Sequence, residues 1–309
     1  MAQPLSIKEL AKSEELLVGG HRLCPGCGHS IILRQMLHSS PYPLVLAMAT
    51  GCLEVCTTIY PYTSWKTPWI HSAFENAAAT ITGVETMYRA LKKKGKIEKD
   101  IKFVAVGGDG GTYDIGLQSL SGAFERGHDF VYVCTDNGAY MNTGTQRSSA
   151  TPFAAETSTT HVGKKIPGKQ QERKNLTKIA AAHDIPYAAQ ASPANWKDLT
   201  TKFRKALEVG GPAFLNVISP CPRGWRTDAS ETVNLAQMAI DSCYWPLYEV
   251  ENGKVTINYR PKEKLPIMEW IKIQGRFKHL LKPENEGLVK IFQEKIDRDW
   301  EELLKRAGE

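Results

Sequence analysis

Four short apolar runs, separated by helical patterns, constrain the fold of this 309-residue chain more than any other feature. The runs cover residues 43–49, 103–106, 130–134 and 213–218. Such runs, rich in β-branched or aromatic residues, are typical of strands that are covered on both faces. Apolar residues at helical spacing predict helices at 30–37, 74–94, 115–126, 175–183 and 196–209. The alternation predicts an α/β fold with a doubly wound, mostly parallel sheet.

The composition changes after Trp245, which predicts a C-terminal extension. Residues 248–264 are expected to form a short hairpin with Asn252 and Gly253 at its turn. Five large apolar side chains then recur at helical spacing: Leu288, Phe292, Ile296, Trp300 and Leu303. We therefore predict a ligand-binding α/β domain at residues 1–245 and an extension at residues 246–309 that packs on the core or on a partner subunit.

Chemically reactive side chains follow the predicted strands at the point where each strand ends. Cys52, Asp109, Asn137 and Cys221 each come just after one of the four apolar runs. In open α/β sheets, ligands bind outside the carboxyl ends of the strands. The segment that begins at Cys24 precedes a helix leading back into the first strand, so it is expected at the same edge. The sequence thus predicts one binding site assembled from distant parts of the chain.

The Gly108-Asp109-Gly110 turn and Asn137 form a pattern suited to a magnesium-bound diphosphate. Asp109 offers a carboxylate, Asn137 an amide oxygen and Ala139 a backbone carbonyl, and Mg²⁺ completes its octahedron with phosphate oxygens and water. The glycines allow close approach to phosphates, which a following helix N-terminus also attracts. The pattern is typical of thiamine diphosphate enzymes. A tight turn, or another Mg²⁺–phosphate enzyme, is the alternative, although no Walker-type phosphate loop is present.

Seven cysteines are an odd number for a disulfide framework, and spaced cysteines without an export signal more often bind metal. Cys24, Cys27, Cys52 and Cys221 can supply four thiolates to zinc or to an iron–sulfur cluster. The Cys-Pro steps at Cys24 and Cys221, and the dispersed spacing, favour the cluster. Zinc stays an alternative, and Cys56, one helical turn beyond Cys52, is the alternative fourth ligand.

The composition narrows the class of protein and its partners. The net charge of +6 is spread along the chain rather than gathered with aromatic residues, which argues against nucleic-acid binding. No apolar run reaches the ~18 residues of a membrane span, and the first residues lack an apolar signal core. We therefore expect a cytoplasmic protein. Segment 143–174 is polar and rich in Gly, Ser and Thr, as functional loops often are, and its basic end at 164–174 suits a subunit contact or an acidic protein partner.

Seven segments together resemble the beta subunit of multi-subunit pyruvate:ferredoxin oxidoreductase and its 2-oxoacid relatives. They lie at residues 21–28, 49–55, 68–77, 107–112, 136–144, 180–187 and 274–277. Among them are the Cys24-Pro25-Gly26-Cys27 motif and the tail Gln274-Gly275-Arg276-Phe277. The resemblance covers nearly the whole chain, and the combination of motifs is specific.

The resemblance implies a role for each candidate residue. The positions of Cys24, Cys27, Cys52 and Cys221 hold the cluster nearest the thiamine in that family. Those of Asp109, Asn137 and the Ala139 carbonyl hold Mg²⁺, and Asn142 corresponds to a catalytic side chain near the substrate carbon and the cofactor. Further cofactor contacts are implied for Thr50, Gly51, Gly108, Gly110 and Met141. His71 is either another cofactor contact or a structural histidine.

The resemblance also implies an activity and a set of partners. The cofactors are thiamine diphosphate, Mg²⁺ and one [4Fe-4S] cluster, and the partners are alpha, gamma and delta-type subunits and ferredoxin. The reaction is oxidative decarboxylation of a 2-oxoacid, pyruvate with coenzyme A being favoured and oxalate, without coenzyme A, the alternative. The glutamate that activates thiamine is expected from the alpha subunit, since Glu54 and Glu75 are candidates only by proximity in sequence. A non-oxidative thiamine decarboxylase or synthase with structural zinc and a silent scaffold subunit are the rival classes.

Overall fold

One twisted sheet organises the protein, which we describe from a computed structural model over residues 4–308. Its strands are β1 Leu44–Ala49, β2 Trp69–Ser72, β3 Lys102–Gly108, β4 Val131–Asp136, β5 Tyr187–Ala191, β6 Ala213–Ile218, β7 Tyr248–Glu251 and β8 Lys254–Ile257. The order across the sheet is β2-β1-β3-β4-β6-β5-β7-β8. Strands β1 to β6 are parallel, and β7 and β8 are antiparallel. The predicted mostly parallel sheet is confirmed.

Helices cover both faces of this sheet. They are α1 Ile7–Leu10, α2 Gly28–Ser39, α3 Cys52–Thr57, α4 Ala77–Lys93, α5 Leu117–Glu125, α6 Leu176–Ala181, α7 Trp196–Glu208, α8 Pro222–Trp225, α9 Thr232–Asp241, α10 Ile267–Lys272 and α11 Glu286–Arg306. One face packs on α2 and α7 through residues such as Ile32 and Phe203. The other packs on α4, α5 and α6 through residues such as Ile81 and Leu120. The fold is therefore doubly wound, as predicted.

The central strands are fully covered, which explains their continuous apolar sequences. Every residue of β4 and of β6 is buried. The four apolar runs all form strands, and β3 and β4 extend beyond the predicted runs to include Gly108 and Asp136. The extension places the reactive residues directly at the strand ends.

Two strands of the parallel sheet, β2 and β5, were not predicted from the sequence. Strand β2 is a four-residue edge strand in which Ile70 and His71 are exposed, so it lacks a continuous apolar signal. Strand β5 is buried but consists mainly of alanine, which also favours helices. Both strands are recognised only through their pairing with β1 and β6.

The C-terminal region is joined to the main sheet. The predicted hairpin is observed, with Asn252 and Gly253 at positive φ in its turn, and β7 pairs antiparallel with β5. Helix α11 packs with α9 and α10 in a separate apolar cluster that contains Trp225 and Trp270. The division at residue 245 stays a prediction, and its outer ends at residues 1–3 and 309 lie outside the described residues. No helix among residues 4–308 has the length and apolar character needed to cross a bilayer.

Candidate cofactor site

A cavity lies at the carboxyl ends of β1, β3 and β4, where the sequence placed a binding site. Its lining includes ten of the predicted residues: Thr50, Gly51, Cys52, Gly108, Asp109, Gly110, Asn137, Ala139, Met141 and Asn142. The chain leaves β3 through a π-helical turn, Gly110–Asp114. The turn brings Gly110 against the ring of Tyr140, whose hydroxyl donates to the Gly110 carbonyl at 2.9 Å. A Cβ on Gly110 would lie 2.4 Å from that ring, so the close packing requires glycine.

Polar atoms of Asp109, Asn137 and Ala139 converge at one side of this cavity. One terminal atom of the Asn137 amide lies 2.9 Å from Asp109 Oδ1 and 2.8 Å from the Ala139 carbonyl oxygen. Turned one way, the amide places Nδ2 there and donates to both oxygens; turned the other way, it places Oδ1 there as a third oxygen. When the amide oxygen faces inward, the carboxylate, amide and carbonyl oxygens are all hydrogen-bond acceptors, and none of these groups has an N–H or O–H between them. Neighbouring ligands of octahedral Mg²⁺ stand about 2.9 Å apart, because each Mg–O bond is about 2.1 Å. With the amide oxygen facing inward, Asn137 is spaced from Asp109 and from Ala139 as neighbouring magnesium ligands are.

The ring of His29 contacts the Asn137 amide. Its Nε2 lies 3.4 Å from Asn137 Nδ2, and its Nδ1 lies 3.1 Å from the hydroxyl of Ser219. Burial lowers the pKa of His29 to about 4, so the ring is neutral at physiological pH. In the tautomer whose Nδ1–H donates to Ser219, Nε2 accepts from the amide nitrogen, and the amide oxygen faces Asp109 and Ala139. Sequence analysis missed His29, and its only signal was a histidine two residues after the Cys-x-x-Cys motif.

Asp109 is a buried carboxyl without a cationic ion-pair partner among the described residues. Burial, followed by the nearby carboxylate of Asp136, raises its pKa well above the ordinary value. Asp136 differs, because Arg173 Nη2 and the Tyr113 hydroxyl each reach its Oδ2 at 2.6 Å. A divalent cation would supply the positive charge that Asp109 lacks. This donor set fits Mg²⁺, with Asp109, Asn137 and Ala139 as the residues that would hold it.

The polar segment 143–174 closes over the magnesium side of the site. The hydroxyl of Ser148 donates to Asp109 Oδ2, and the backbone N–H of Ser149 donates to Asp114 Oδ2 at 3.0 Å. Lys169 is buried and donates to the carbonyls of Ser149 at 3.3 Å, Thr151 at 2.5 Å and Glu172 at 3.4 Å. Burial lowers the pKa of Lys169 to about 7. The segment is thus fixed by the buried amino group of Lys169, whose hydrogen-bond partners among the described residues are carbonyls. Composition indicated a functional loop but none of these contacts.

Of the four predicted thiol ligands, Cys52 lines the same cavity, and Cys24 is exposed, with its carbonyl accepting from the Cys27 N–H at 3.0 Å. Cys27 immediately precedes α2, Cys52 begins α3, and Cys221 caps α8, where it accepts from the Gly224 N–H at 3.3 Å. The backbone carbonyl of Pro220 accepts from the Gly28 N–H at 3.2 Å, which ties the start of α2 to the end of β6. These contacts join the Cys-x-x-Cys segment to the segment of Cys221, as the sequence predicted.

The thiols influence one another electrostatically. Burial, reinforced by Cys221, Cys52 and Cys24, raises the pKa of Cys27 to about 12. Burial and Cys221 raise the pKa of Cys52 to about 11, while a hydrogen bond from the Asn142 side chain opposes the rise. Cys56 also raises the pKa of Cys52 electrostatically. All seven cysteines are free, and among residues 4–308 no three His, Cys, Asp or Glu side chains converge as ligands of a single ion.

Buried thiols with N–H donors aimed at sulfur suit a thiolate-bound metal centre. Because burial raises their pKa values, Cys27 and Cys52 stay protonated without a metal, and a bound metal centre would displace these protons. The N–H groups that reach Cys221 and Cys52 are of the kind that tune iron–sulfur clusters. Gly224 packs closely on Met141, because a Cβ there would lie 2.1 Å from Met141 Sδ and the methionine side chain would have to move.

His71 lies beside the cavity and does not line it. Its Nε2 is 2.6 Å from the Thr50 hydroxyl and 3.5 Å from Glu54 Oε2. The side chain of His71 is about half exposed, whereas that of Glu54 is buried. A cofactor contact by His71 stays a prediction. Neither Glu54 nor Glu75 is among the described residues that line the cavity.

Comparison with known proteins was made against families, sequences and solved structures. Residues 49–217 match the family described as thiamine pyrophosphate enzyme, C-terminal TPP binding domain. Pyruvate synthase subunit PorB of Thermotoga maritima is 52% identical over an alignment that covers 97% of this chain and 96% of the relative. The subunit of the same name from Methanocaldococcus jannaschii is 49% identical, with 91% and 95% covered.

More distant relatives were also found. Ketoisovalerate oxidoreductase subunit VorB of Pyrococcus abyssi is 42% identical, with 95% of this chain and 94% of the relative covered. Among solved structures, a chain of the 2-oxoglutarate:ferredoxin oxidoreductase from Magnetococcus marinus matches with a TM-score of 0.55 and 21% identity. This match covers 75% of our chain and 84% of that chain. At that identity the likeness supports the fold alone.

Proposed function

Because the chain belongs to the family of beta subunits of 2-oxoacid:ferredoxin oxidoreductases, we propose that it binds thiamine diphosphate through Mg²⁺ together with one [4Fe-4S] cluster. With alpha, gamma and delta-type subunits it oxidatively decarboxylates a 2-oxoacid and passes the electrons to ferredoxin. The relatives and the thiamine pyrophosphate-binding domain support the oxidoreductase class.

The observation that carries this proposal is the position of Cys52. Cys52 lines the same cavity as Asp109, Asn137 and Ala139. The proposed cluster ligands and the proposed magnesium ligands therefore share a wall of the site. Asn142 lines this wall too, and its side chain hydrogen-bonds to the sulfur of Cys52. Electron transfer from a cofactor in the cavity to a centre held by Cys52 would therefore cover a short distance.

The residues divide the work of binding. Asp109, Asn137 and the Ala139 carbonyl would hold Mg²⁺ and with it the diphosphate, while Gly108 and Gly110 leave room for the phosphates. Thiamine, when bound, supplies a ring that accepts the electron pair released as a 2-oxoacid loses CO₂. Asn142, at the wall shared with Cys52, would orient the reacting part of the substrate. Cys24, Cys27, Cys52 and Cys221 would hold the cluster.

Pyruvate, with coenzyme A as acyl acceptor, is the proposed substrate. Two relatives at 52% and 49% identity are named pyruvate synthase subunits. A relative at 42% identity is named for ketoisovalerate, so branched 2-oxoacids are the alternative to test, together with oxalate.

The test is anaerobic assembly of the chain with its partner subunits. Iron and acid-labile sulfide are measured, and dye reduction is assayed with pyruvate, ketoisovalerate, 2-oxoglutarate and oxalate, each with and without coenzyme A. We expect four irons per chain and dye reduction with pyruvate that requires coenzyme A. Zinc in place of iron would favour the non-oxidative class, and activity with oxalate alone would change the substrate.

Single cysteine variants test the ligand assignment. Cys221→Ser is expected to lose the cluster absorption and dye reduction, because one of four thiolates is missing. The control Cys243→Ser alters a buried cysteine in the α9–α11 apolar cluster and should retain both. Cys56→Ser should retain both as well. An intact cluster and activity in Cys221→Ser, or their loss in Cys56→Ser, would refute the assignment.

A further inference from the structure

Arg276 is a cation enclosed by aromatic rings in the C-terminal region. It lies in the 3₁₀ turn Gly275–Leu281, and only 3% of its surface is exposed. Its guanidinium carbon is 4.1 Å from the ring centre of Trp225, 5.0 Å from that of Phe277 and 5.6 Å from that of Trp270. The rings hold the guanidinium in one place and separate it from solvent.

The guanidinium lacks the partners that a buried arginine normally has. Its Nε donates to Gln274 Oε1 at 2.9 Å, while Nη2 has no hydrogen-bond partner. No carboxylate of the described residues forms an ion pair with it, whereas Arg173, whose side chain is about one-fifth exposed, is paired with Asp136. Burial lowers the pKa of Arg276 to about 10, a value that still keeps it charged at neutral pH. A buried charge of this kind requires compensation by a negative group nearby.

The negative groups around Arg276 belong to the cofactor site. Apart from Tyr244, the groups that stabilise its charge electrostatically are Cys221, Asp136 and Asp109. Trp225, on which the guanidinium stacks, ends helix α8, and the backbone N–H of Trp225 donates to the carbonyl of Cys221 at 2.8 Å. Arg276 therefore stacks on a ring whose residue lies one helical turn from a proposed cluster ligand.

The guanidinium also borders the magnesium side. A Cβ on Gly138 would lie 3.1 Å from Arg276 Nη1, and the Trp225 indole donates to the Asn137 carbonyl at 2.7 Å. The cation thus stands between the thiols and the loop that carries Asn137 and Ala139.

We propose that Arg276 is a fixed positive charge that raises the reduction potential of the cluster held by Cys24, Cys27, Cys52 and Cys221. The inference rests on the proposed function, which supplies the cluster. An iron–sulfur cluster with four thiolates is anionic and gains one more negative charge on reduction, so a nearby cation stabilises the reduced form. Because the guanidinium is buried, salt screens its effect only weakly. Arg276 is a positioning and tuning residue, not one that touches substrate.

The expected effect follows from Coulomb's law. A unit charge about 10 Å from a redox centre, at an effective dielectric constant of about 20, changes the equilibrium constant for one-electron reduction roughly tenfold. Without the charge, the ratio of reduced to oxidised cluster at the wild-type midpoint should fall about tenfold. This equals a shift of about 59 mV toward more negative potential.

Two variants remove or neutralise the positive charge of Arg276, and two further variants serve as controls. Arg276→Met removes the cation and keeps an unbranched apolar side chain against the rings. Gln274→Glu leaves Arg276 in place and puts a carboxylate where the amide oxygen accepts from Nε at 2.9 Å. Gln274→Met is the uncharged control, because like Gln274→Glu it loses the hydrogen bond from Gln274 Nε2 to the Trp270 carbonyl, at 2.7 Å, and it adds no charge. Arg276→Lys retains the charge on a different head group.

The experiment is an anaerobic redox titration of the assembled enzyme, with the reduced cluster followed by electron paramagnetic resonance. We expect Arg276→Met and Gln274→Glu to shift the midpoint negatively by similar amounts, and Gln274→Met and Arg276→Lys to shift it little. Unchanged potentials in Arg276→Met and Gln274→Glu would overturn the inference, as would equal shifts in all four variants. If Arg276→Met fails to assemble, Gln274→Glu against Gln274→Met decides alone. A wild-type enzyme without a cluster would instead refute the proposed function.

Discussion

Replacing Lys169 with methionine is expected to remove a pH dependence of stability from the protein. The ordinary lysine pKa is 10.5, and burial lowers that of Lys169 to about 7 in the folded state. Between these values the unfolded chain carries a proton that the folded chain has released. The free energy of unfolding of the wild type therefore increases with pH across this window, by up to about 1.4 kcal/mol per pH unit from this group.

The assay is urea unfolding, followed by circular dichroism, of wild type and Lys169→Met at pH 7, 8 and 9. The difference in unfolding free energy between the two should grow in favour of the wild type by about 2 to 3 kcal/mol from pH 7 to pH 9. Other titrating groups contribute to both proteins and cancel. Lys164→Met, at an exposed lysine of the same segment, is the control and should show no such growth. A difference for Lys169→Met that is the same at every pH would refute the reasoning.

Two predictions concern the magnesium side of the site. Asp109→Asn should raise the melting temperature of the cation-free protein, because burial makes the ionised carboxylate unfavourable. It should also abolish the further rise in melting temperature that the wild type shows on adding Mg²⁺ and thiamine diphosphate. An undiminished rise in the variant would contradict the assignment of Asp109. Gly110→Ala should weaken thiamine diphosphate binding, measured by fluorescence titration, at least tenfold (about 1.4 kcal/mol), because its Cβ would lie 2.4 Å from the Tyr140 ring. Gly83→Ala, with nothing within 4 Å, is its control, and equal affinities in the two variants would contradict the steric argument.

The parts of the fold that the sequence predicted are those with a strong local signal. The four central strands are apolar throughout because helices cover both faces, and the reactive residues follow directly on their ends. Placing Cys52, Asp109 and Asn137 at one edge required only the rule that parallel strands end together. Their grouping around one cavity agrees with that reasoning.

The remaining parts depend on contacts between distant segments. Nothing near His29 in sequence indicates that its ring reaches Asn137, and nothing near Ser148 indicates its bond to Asp109. Arg276 looked like one residue of a short tail motif, because its stacking on Trp225 arises only when the turn after α10 meets α8. Residues of this kind are found from tertiary packing and not from spacing.

The attachment of β7 to β5 has a consequence for biosynthesis. A ribosome releases the strands in the order β1 to β8, so the sheet is complete only once Ile257, in the final quarter of the polypeptide, has emerged and the β7–β8 hairpin has paired. Until then the edge of β5 is open to pairing with other nascent chains. Chaperones are therefore expected to meet a chain in which all seven cysteines are already synthesised while this edge is still unpaired.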